Sequence, residues 1–194
     1  MRICELVYHS LLPDEQGSSS KFQNILEDEV RMSALFEDFL RNFYKSELPG
    51  FTAASEIMPW LADAESEADL AYLPIMKTDI TLRSGERTIV ADAKYYREAL
   101  AGGRYSSKVR SAHLYQLSTY LSHTRAREPR QEVSGLLIYP AVGQNLRLRY
   151  QLMGTPVLVA TVDLSAEWPE IHEELVELIS PQMSCREQST FEHQ

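Results

Sequence analysis

Apolar residues recur every three or four positions in three parts of this chain, and this spacing predicts three helices. Residues 24–45 form the longest predicted helix, and residues 112–123 and 165–179 form two shorter ones. The apolar stripe of the long helix contains Met32, Leu35, Phe36, Phe39, Leu40 and Phe43. Ser165 or Asp163 is the candidate cap of the last helix.

Runs rich in β-branched and aromatic residues predict strands between these helices. The runs cover residues 51–60, 76–82, 88–96, 133–139, 146–152 and 157–164. The segment Ser84-Gly85-Glu86-Arg87 is typical of a turn, so the second and third runs form a hairpin. This order of elements predicts an α/β (α+β) fold in which helices flank a mixed sheet. We expect one domain over residues 1–180, followed by a polar, disordered tail at residues 181–194.

The predicted hairpin brings three charged residues together. If it closes on a two-residue loop at Gly85-Glu86, residues whose numbers sum to 171 lie opposite each other. Asp79 then faces Asp92, with their Cβ atoms roughly 5 Å apart. Lys94 follows on the same face as Asp92, because side chains alternate along a strand.

Two carboxylates that face each other destabilise a sheet unless a cation lies between them. Oxygen ligands suit Mg²⁺, so Asp79 and Asp92 are candidate ligands for one or two ions. The amine of Lys94 can orient a water molecule or stabilise charge that develops on a phosphate. The alternative is a pair of exposed acids on a solvated hairpin.

The same residues carry a family resemblance. Asp79, Asp92 and Lys94 resemble the signature of PD-(D/E)XK nucleases, with Thr78 at a position where that signature often has proline. A longer resemblance runs through LPIMKTDI at residues 73–80, ADAKYY at 91–96 and AHLYQL at 112–117. These runs are similar to McrC, the nuclease subunit of the McrBC modification-dependent restriction system. The resemblance extends over nearly all of the chain and implies a restriction-endonuclease-like sheet flanked by helices.

The resemblance also points to a third acid. Nucleases of this superfamily usually add a carboxylate from the helix that precedes the hairpin. Glu37 and Asp38 are the candidates, and they lie on opposite borders of the apolar stripe, so periodicity does not choose between them. The Leu35-Phe36-Glu37 run resembles McrC and favours Glu37 as the third metal ligand.

Two further groups are candidates for binding substrate. Gln116 and Tyr120 lie one turn apart on a predicted helix and share a face with His113, which we interpret as structural. Their spacing is similar to a motif of RecB-type nucleases, where it borders the site; a partly buried polar patch is the alternative. A Gly/Ser-rich loop carries basic residues suited to phosphate contact, although an ordinary solvated loop explains it as well. These residues are Arg104, Lys108 and Arg110.

The net charge of −9 is unusual for a DNA-binding protein, but the charge is unevenly distributed. Residues 71–150 contain 13 basic and 6 acidic residues, whereas the rest of the chain contains 6 and 22. The positive region is the one that holds the candidate site. Since a polyanion responds to the local field, this distribution agrees with a phosphate-binding centre.

Several classes of protein are disfavoured by the sequence. No apolar run approaches the roughly 18 residues of a membrane span, and the first residues lack an apolar signal core, so we expect a cytoplasmic protein without a membrane partner. Cys4 and Cys185 lack a metal-type spacing and are expected to be reduced thiols. No segment resembles a Walker A loop.

We therefore expect a Mg²⁺-dependent DNA endonuclease in which Asp79, Asp92 and Glu37 hold the metal and Lys94 positions the attacking water. The family resemblance further implies an McrB-like AAA+ GTPase partner and dependence on 5-methylcytosine. Members of the family usually carry a further N-terminal region that this resemblance does not include. The alternative is therefore a truncated, non-catalytic remnant or assembly subunit that binds an McrB-like partner.

Overall fold

The structure, a computed structural model, describes residues 29–95, 108–141 and 145–180. Within these ranges the helices are α1 (Glu29–Glu47), α2 (Glu67–Leu70), α3 (Ser111–Arg127) and α4 (Trp168–Ile179). The strands are β1 (Thr52–Ala54), β2 (Ile57–Met58), β3 (Met76–Lys77), β4 (Ile80–Arg83), β5 (Arg87–Ala93), β6 (Glu132–Pro140), β7 (Arg147–Leu152) and β8 (Thr155–Val162).

Six strands form one mixed sheet in the order β1-β4-β5-β6-β8-β7, and β2 pairs with β3 in a separate small sheet. The central strands β5, β6 and β8 are parallel, whereas the pairings β1–β4, β4–β5 and β7–β8 are antiparallel. The carboxyl ends of the three parallel strands therefore lie along the same edge of the sheet. The predicted mixed sheet flanked by helices is confirmed.

The helices cover both faces of this sheet, which buries its central strands. Helices α1 and α4 pack on one face, where Leu40 and Leu175 contact a cluster that includes Ala91. Helix α3 packs on the other face, where Leu117 belongs to the same cluster as Val90. Because side chains alternate along β5, its residues contribute to both layers. A strand buried on both faces needs a nearly continuous apolar run, and the TIVA segment at residues 88–91 provides it.

The prediction of one continuous strand over residues 76–82 is wrong. Met76 belongs to the small sheet and packs on the α3 side, whereas Ile80 belongs to the main sheet and packs against α1 and α4. The chain bends at Thr78 and Asp79 between them. The predicted strand over residues 51–60 is split for the same reason, since β1 pairs with β4 and β2 pairs with β3.

Helix α4 begins at Trp168, three residues later than the predicted start at Ser165. The Asp163 carboxylate accepts hydrogen bonds from the backbone N–H and the hydroxyl of Ser165, which holds these residues in a turn before the helix. Glu167 occupies the position before the first helical residue, and a proline follows at the start of the helix, where its missing N–H is tolerated. The prediction that Ser165 or Asp163 caps α4 is therefore wrong.

Some predictions concern residues outside the described ranges. These residues include Cys4, Cys185, the tail at 181–194 and most of the basic loop, so the domain limits stay predictions. Among the helices of residues 29–95, 108–141 and 145–180, none combines the length and the apolar character needed to cross a bilayer.

Gly135 allows α3 to approach the sheet closely. A Cβ atom added there would lie 2.8 Å from a methyl carbon of Leu121 and 3.2 Å from one of Leu117, both on α3. It would also lie 3.1 Å from a methyl carbon of Val157 on the neighbouring strand. All three side chains are buried, so none can move without displacing others.

We expect Gly135→Ala to lower the free energy of unfolding by roughly 1–3 kcal/mol, the usual effect of overpacking a core. Gly85→Ala is the matched control, because a Cβ atom there meets nothing within 4 Å. Both variants restrict the unfolded chain alike, so the difference between their urea denaturation midpoints measures the crowding. Equal midpoints would mean that α3 is free to shift away from β6.

Candidate active site

The candidate site lies at the carboxyl end of β5, which is a central strand. Asp92 is the second-last residue of this strand and is fully buried. Lys94 follows the strand, and its backbone N–H donates to the carbonyl oxygen of Ile138 at 2.9 Å. This bond ties the residue to β6 and restricts the directions in which its side chain can point. The sheet therefore presents a carboxylate and an amine at its edge on a rigid support.

The predicted register of the hairpin is confirmed. Ile80 pairs with Ala91, and the ladder continues to Arg83 and Thr88, so the paired numbers sum to 171. Asp79 precedes the first ladder pair and lies in the bend. Its Oδ2 atom accepts a hydrogen bond of 3.0 Å from the backbone N–H of Ala93, next to Asp92. Asp79 thus reaches the end of β5 through its side chain, although its backbone lies outside the ladder.

The amine of Lys94 bridges the two carboxylates. Its Nζ atom donates to Oδ1 of Asp92 at 2.9 Å and to Oδ2 of Asp79 at 3.5 Å. Burial would lower the pKa of Lys94, but the negative charges of Asp92 and Asp79 outweigh it and raise that pKa above its usual value. The lysine is therefore charged at neutral pH. The predicted hairpin groups Asp79, Asp92 and Lys94, and in the structure Lys94 contacts both aspartates.

Asp92 carries the strongest sign of an incomplete site. Burial, together with the nearby charge of Asp79, raises the pKa of its carboxyl to about 7, although Lys94 acts to lower it. Its Oδ2 atom is buried and has no hydrogen-bond partner. A buried carboxylate oxygen without a partner is costly, so native proteins usually satisfy such an atom. A cation beside Oδ2 would satisfy it and would favour the charged form.

Glu37 and Asp38 differ clearly in their surroundings. Burial raises the pKa of Glu37, and the charge of Asp79 raises it further, so Glu37 lies within electrostatic reach of the site. Its Oε1 atom accepts a hydrogen bond from the hydroxyl of Ser33 at 3.3 Å. Asp38 instead has a side chain that is 56% exposed and pairs with Arg41. Glu37, and not Asp38, therefore lies within electrostatic reach of Asp79 and Lys94.

The bend from Lys77 to Asp79, at the end of β3 and before β4, is held by side chains from three separate parts of the chain. Tyr120 on α3 donates its hydroxyl to the carbonyl oxygen of Lys77 at 2.8 Å, and Ser55 donates to that of Thr78 at 2.6 Å. Arg41 on α1 donates to the carbonyl oxygen of Asp79 at 3.0 Å. Three successive carbonyl groups are thus satisfied without a strand partner, as backbone groups away from water must be.

Thr78 holds the bend by hydrogen bonds that a proline at this position would lack. Its backbone N–H donates to the carbonyl oxygen of Glu56 at 2.9 Å, a bond that proline cannot make. Its buried hydroxyl lies 3.0 Å from the backbone nitrogen of Glu56 and 2.9 Å from the hydroxyl of Thr81. The threonine therefore fixes the bend by hydrogen bonds, where proline would fix it by its ring.

The predicted substrate-binding residues fall into two groups. Gln116 donates from Nε2 to the hydroxyl oxygen of Tyr120 at 3.0 Å, and Tyr120 is buried, so this pair supports the bend. His113 is buried and lies 2.8 Å from the hydroxyl of Tyr139, in agreement with a structural role. Lys108 and Arg110 are exposed just before α3. Arg104 lies outside the described residues.

Two residues that hold the site were not predicted. Arg41 and Ser55 act on backbone atoms 38 and 23 residues away in the sequence, and no local pattern marks such a contact. The apolar stripe of α1 indicates only that Arg41 lies off the buried face. To predict the role of Arg41 from the sequence, one would need to know where the bend lies relative to α1.

The residues present fit a hard divalent cation as a partial site. In the part of the chain that the structure describes, no three His, Cys, Asp or Glu side chains are close enough together to enclose a metal ion. Mg²⁺ does not require such a cage, since it keeps several waters and is often held by one or two carboxylates together with substrate phosphates. Asp79 and Asp92, with the unpartnered Oδ2 of Asp92, match that requirement.

Comparison with known proteins identifies the family of the chain and one curated relative. The family described as "McrBC 5-methylcytosine restriction system component" matches residues 1–140. The chain is also 34% identical over 176 residues to the "Type IV methyl-directed restriction enzyme EcoKMcrBC" of Escherichia coli (strain K12). That alignment covers 91% of this chain and 50% of the relative, so the chain spans about half the length of the curated protein that it matches.

The raised pKa of Asp92 predicts how stability depends on pH without metal. The unfolded chain releases this proton near pH 4, whereas the folded protein retains it until about pH 7, so stability falls as pH rises through that range. In EDTA at pH 8 we expect Asp92→Asn to raise the midpoint of thermal unfolding by at least about 2 °C, the shift that roughly 1 kcal/mol produces in a chain of this size. The asparagine keeps an oxygen acceptor for Lys94.

The difference between the two proteins should shrink toward pH 4. His113, whose pKa burial lowers to about 4, titrates over an overlapping range but is common to both, so it cancels in the difference. Asp63→Asn, which changes an exposed carboxylate, controls for the loss of one charge. Thermal unfolding followed by circular dichroism provides the measurement. A variant less stable than the wild type at pH 8 would mean that the ion pair with Lys94 outweighs the burial of Asp92.

Proposed function

The chain belongs to the McrBC 5-methylcytosine restriction system component family, and on that premise we propose that it is the Mg²⁺-dependent DNA-cleaving subunit of a modification-dependent restriction system. The observation that carries this proposal is the convergence of Asp79, Asp92 and Lys94 at the end of β5, with one buried oxygen of Asp92 unsatisfied. Phosphodiester hydrolysis is the chemistry that two carboxylates and an amine in this arrangement support best.

We assign the metal to the two aspartates, with Glu37 completing the site. Bound Mg²⁺ would offset charge on the phosphoryl oxygens and lower the pKa of water. Asp92 would use its free Oδ2 atom, and Asp79 would use the carboxylate that Ala93 holds in place. Glu37 faces Asp79 and Lys94 from α1, where its carboxylate can accept a hydrogen bond from a coordinated water.

Lys94 has two tasks in this proposal. Its charged amine orients the carboxylates, since it donates to both of them. When substrate enters, an amine that is largely buried and fixed by its partners can donate to a water or to a phosphate oxygen without reorganising. Preorganisation of this kind lowers the barrier for the step in which negative charge increases on the phosphate.

DNA would approach the edge of the sheet where the parallel strands end. Lys108 and Arg110 lie exposed before α3, and with Arg104 they form the basic segment that we propose contacts phosphates. Tyr120 is buried, whereas Gln116 is only partly buried. Of these two residues, Gln116 is therefore the one that we propose contacts DNA.

The proposed restriction role also involves a partner protein and modified DNA. We propose that cleavage depends on an McrB-like AAA+ GTPase and on 5-methylcytosine in the DNA, as the family name and the methyl-directed relative suggest. The test uses methylated and unmethylated plasmid, with Mg²⁺ or EDTA, and with or without a candidate GTPase and GTP. Cleavage confined to methylated plasmid with Mg²⁺ and the GTPase is the expected result. Absence of metal-dependent cleavage in every arm would favour a non-catalytic assembly subunit.

In the arm that supports cleavage, Asp92→Asn should reduce the rate by at least about 100-fold, which corresponds to about 2.7 kcal/mol of transition-state stabilisation. The change removes a negative charge that binds the cation but keeps the shape of the side chain. Asp63→Asn alters an exposed carboxylate and should cleave at the rate of the wild type. Initial rates of plasmid nicking provide the measurement. Full activity of Asp92→Asn would exclude Asp92 from the mechanism.

Glu37→Gln should reduce cleavage by about 10-fold or more, the usual effect of losing a residue that orients metal ligands. The loss should be largest at limiting Mg²⁺, because the variant weakens the metal site and leaves DNA contacts intact. Glu173→Gln, on the exposed side of α4, is the matched helical control. A titration of the nicking rate against Mg²⁺ distinguishes the two variants. An unchanged titration curve for Glu37→Gln would remove Glu37 from the metal site.

A further inference from the structure

Arg41 connects the helix that carries Glu37 to the bend that carries Asp79. It lies one helical turn after Glu37, and its Nη1 atom donates to the carbonyl oxygen of Asp79 at 3.0 Å. Its Nη2 atom pairs with the carboxylate of Asp38 on the same helix. The guanidinium therefore holds a backbone atom of the bend with one nitrogen and a side chain of α1 with another.

The other two donors to the bend do not make this connection. Tyr120 reaches the carbonyl oxygen of Lys77 from α3, and Ser55 reaches that of Thr78 from the segment between β1 and β2. Neither residue lies on α1. Of the three carbonyl groups of the bend, the one of Asp79 itself is thus the one tied to the helix of Glu37.

The charges of the two acids oppose their close approach. Glu37 and Asp79 carry like charges close enough to disfavour ionisation of Glu37. Arg41 places a positive charge near both and fixes the backbone of one relative to the helix of the other. Packing of Phe36 and Leu40 in the same cluster as Ile80 holds α1 on the sheet, and the bond from Arg41 fixes the carbonyl group of Asp79 itself.

We propose that Arg41 is a positioning residue that sets the Asp79 carboxylate relative to Glu37 and so preorganises the site for a divalent cation. It acts through Asp79 and touches neither substrate nor metal. This inference rests on the proposed function only for the identity of the bound ion. The hydrogen bond from Arg41 to Asp79 is independent of that function.

Charge and geometry predict opposite effects of removing Arg41. A positive charge repels a nearby cation, so if Arg41 acted through its charge alone, its loss would strengthen metal binding. If Arg41 positions Asp79, its loss weakens metal binding, because the ligand is no longer held at the right distance. Residues that orient metal ligands typically change affinity by about 10- to 100-fold when they are replaced.

The experiment measures binding of Mn²⁺, which accepts the same oxygen ligands, by isothermal titration calorimetry. The wild type is compared with Arg41→Met, which keeps most of the stem, and with Arg41→Lys, which keeps the charge but not the two-pronged geometry. Arg87→Met is the control, because Arg87 also donates to a distant backbone carbonyl, that of Ile179, at the other end of β5. Thermal unfolding in EDTA reports whether each variant folds.

We expect affinity for Mn²⁺ to fall about 10-fold in Arg41→Met and several-fold in Arg41→Lys, and to stay unchanged in Arg87→Met. Unchanged or tighter binding by Arg41→Met overturns the proposal. Wild-type affinity in Arg41→Lys overturns it as well, since a side chain without the two-pronged geometry would then serve equally well. A raised KM for DNA with unchanged Mn²⁺ affinity would make Arg41 a DNA contact and would also overturn it.

The outcomes for Arg41 and for the proposed function are separable. If Mn²⁺ binds in a manner that requires Asp92 and weakens in Arg41→Met, the positioning role stands even where no DNA is cleaved. If cleavage requires Asp92 but neither Arg41 variant alters Mn²⁺ binding, the nuclease function stands and the positioning role fails. If the wild type does not bind Mn²⁺ in a manner that requires Asp92, both proposals fail.

Discussion

The carbonyl groups of Lys77 at the end of β3 and of Thr78 and Asp79 before β4 find their partners in side chains from other parts of the fold. Such groups are rarely left unpaired away from water, because a missing hydrogen bond costs about 1–3 kcal/mol. Tyr120, Ser55 and Arg41 provide the donors from three separate parts of the fold. Satisfying the bend therefore couples α3, α1 and the segment between the two sheets. The position of Asp79 follows from all three contacts together.

The electrostatic arrangement at the end of β5 is unfavourable by itself. Asp92 is buried beside another carboxylate, and one of its oxygens lacks a donor. Lys94 offsets part of this repulsion through its bonds to both acids. Sites that bind cations commonly accept such strain in the free protein, because the ion relieves it on binding. The rigid parallel strands β5 and β6 keep the crowded groups from moving apart.

The hairpin register could be predicted because two local rules agree. The turn segment fixes the loop length, and a period of two then fixes which residues face each other, so Asp92 and Lys94 were placed correctly. The break at Thr78 could not be predicted, because a strand and a bend between two sheets share the same alternation of apolar residues. Periodicity does not choose between Glu37 and Asp38; the family resemblance favours Glu37, and packing of α1 against the sheet buries Glu37 and leaves Asp38 exposed. Contacts such as that of Arg41 depend on tertiary geometry, which local sequence does not encode.

The support of Asp79 by distant elements has a consequence for protein engineering. A peptide of residues 76–94 would contain Asp79, Asp92 and Lys94 together with the turn between β4 and β5. It would lack α1, α3 and Ser55, so the carbonyl groups of Lys77, Thr78 and Asp79 would be exposed to solvent. The side chain of Asp79 would then lose its fixed direction. Asp79, Asp92 and Lys94 therefore cannot be transferred to another scaffold by themselves. A host protein would also need three hydrogen-bond donors at matching positions.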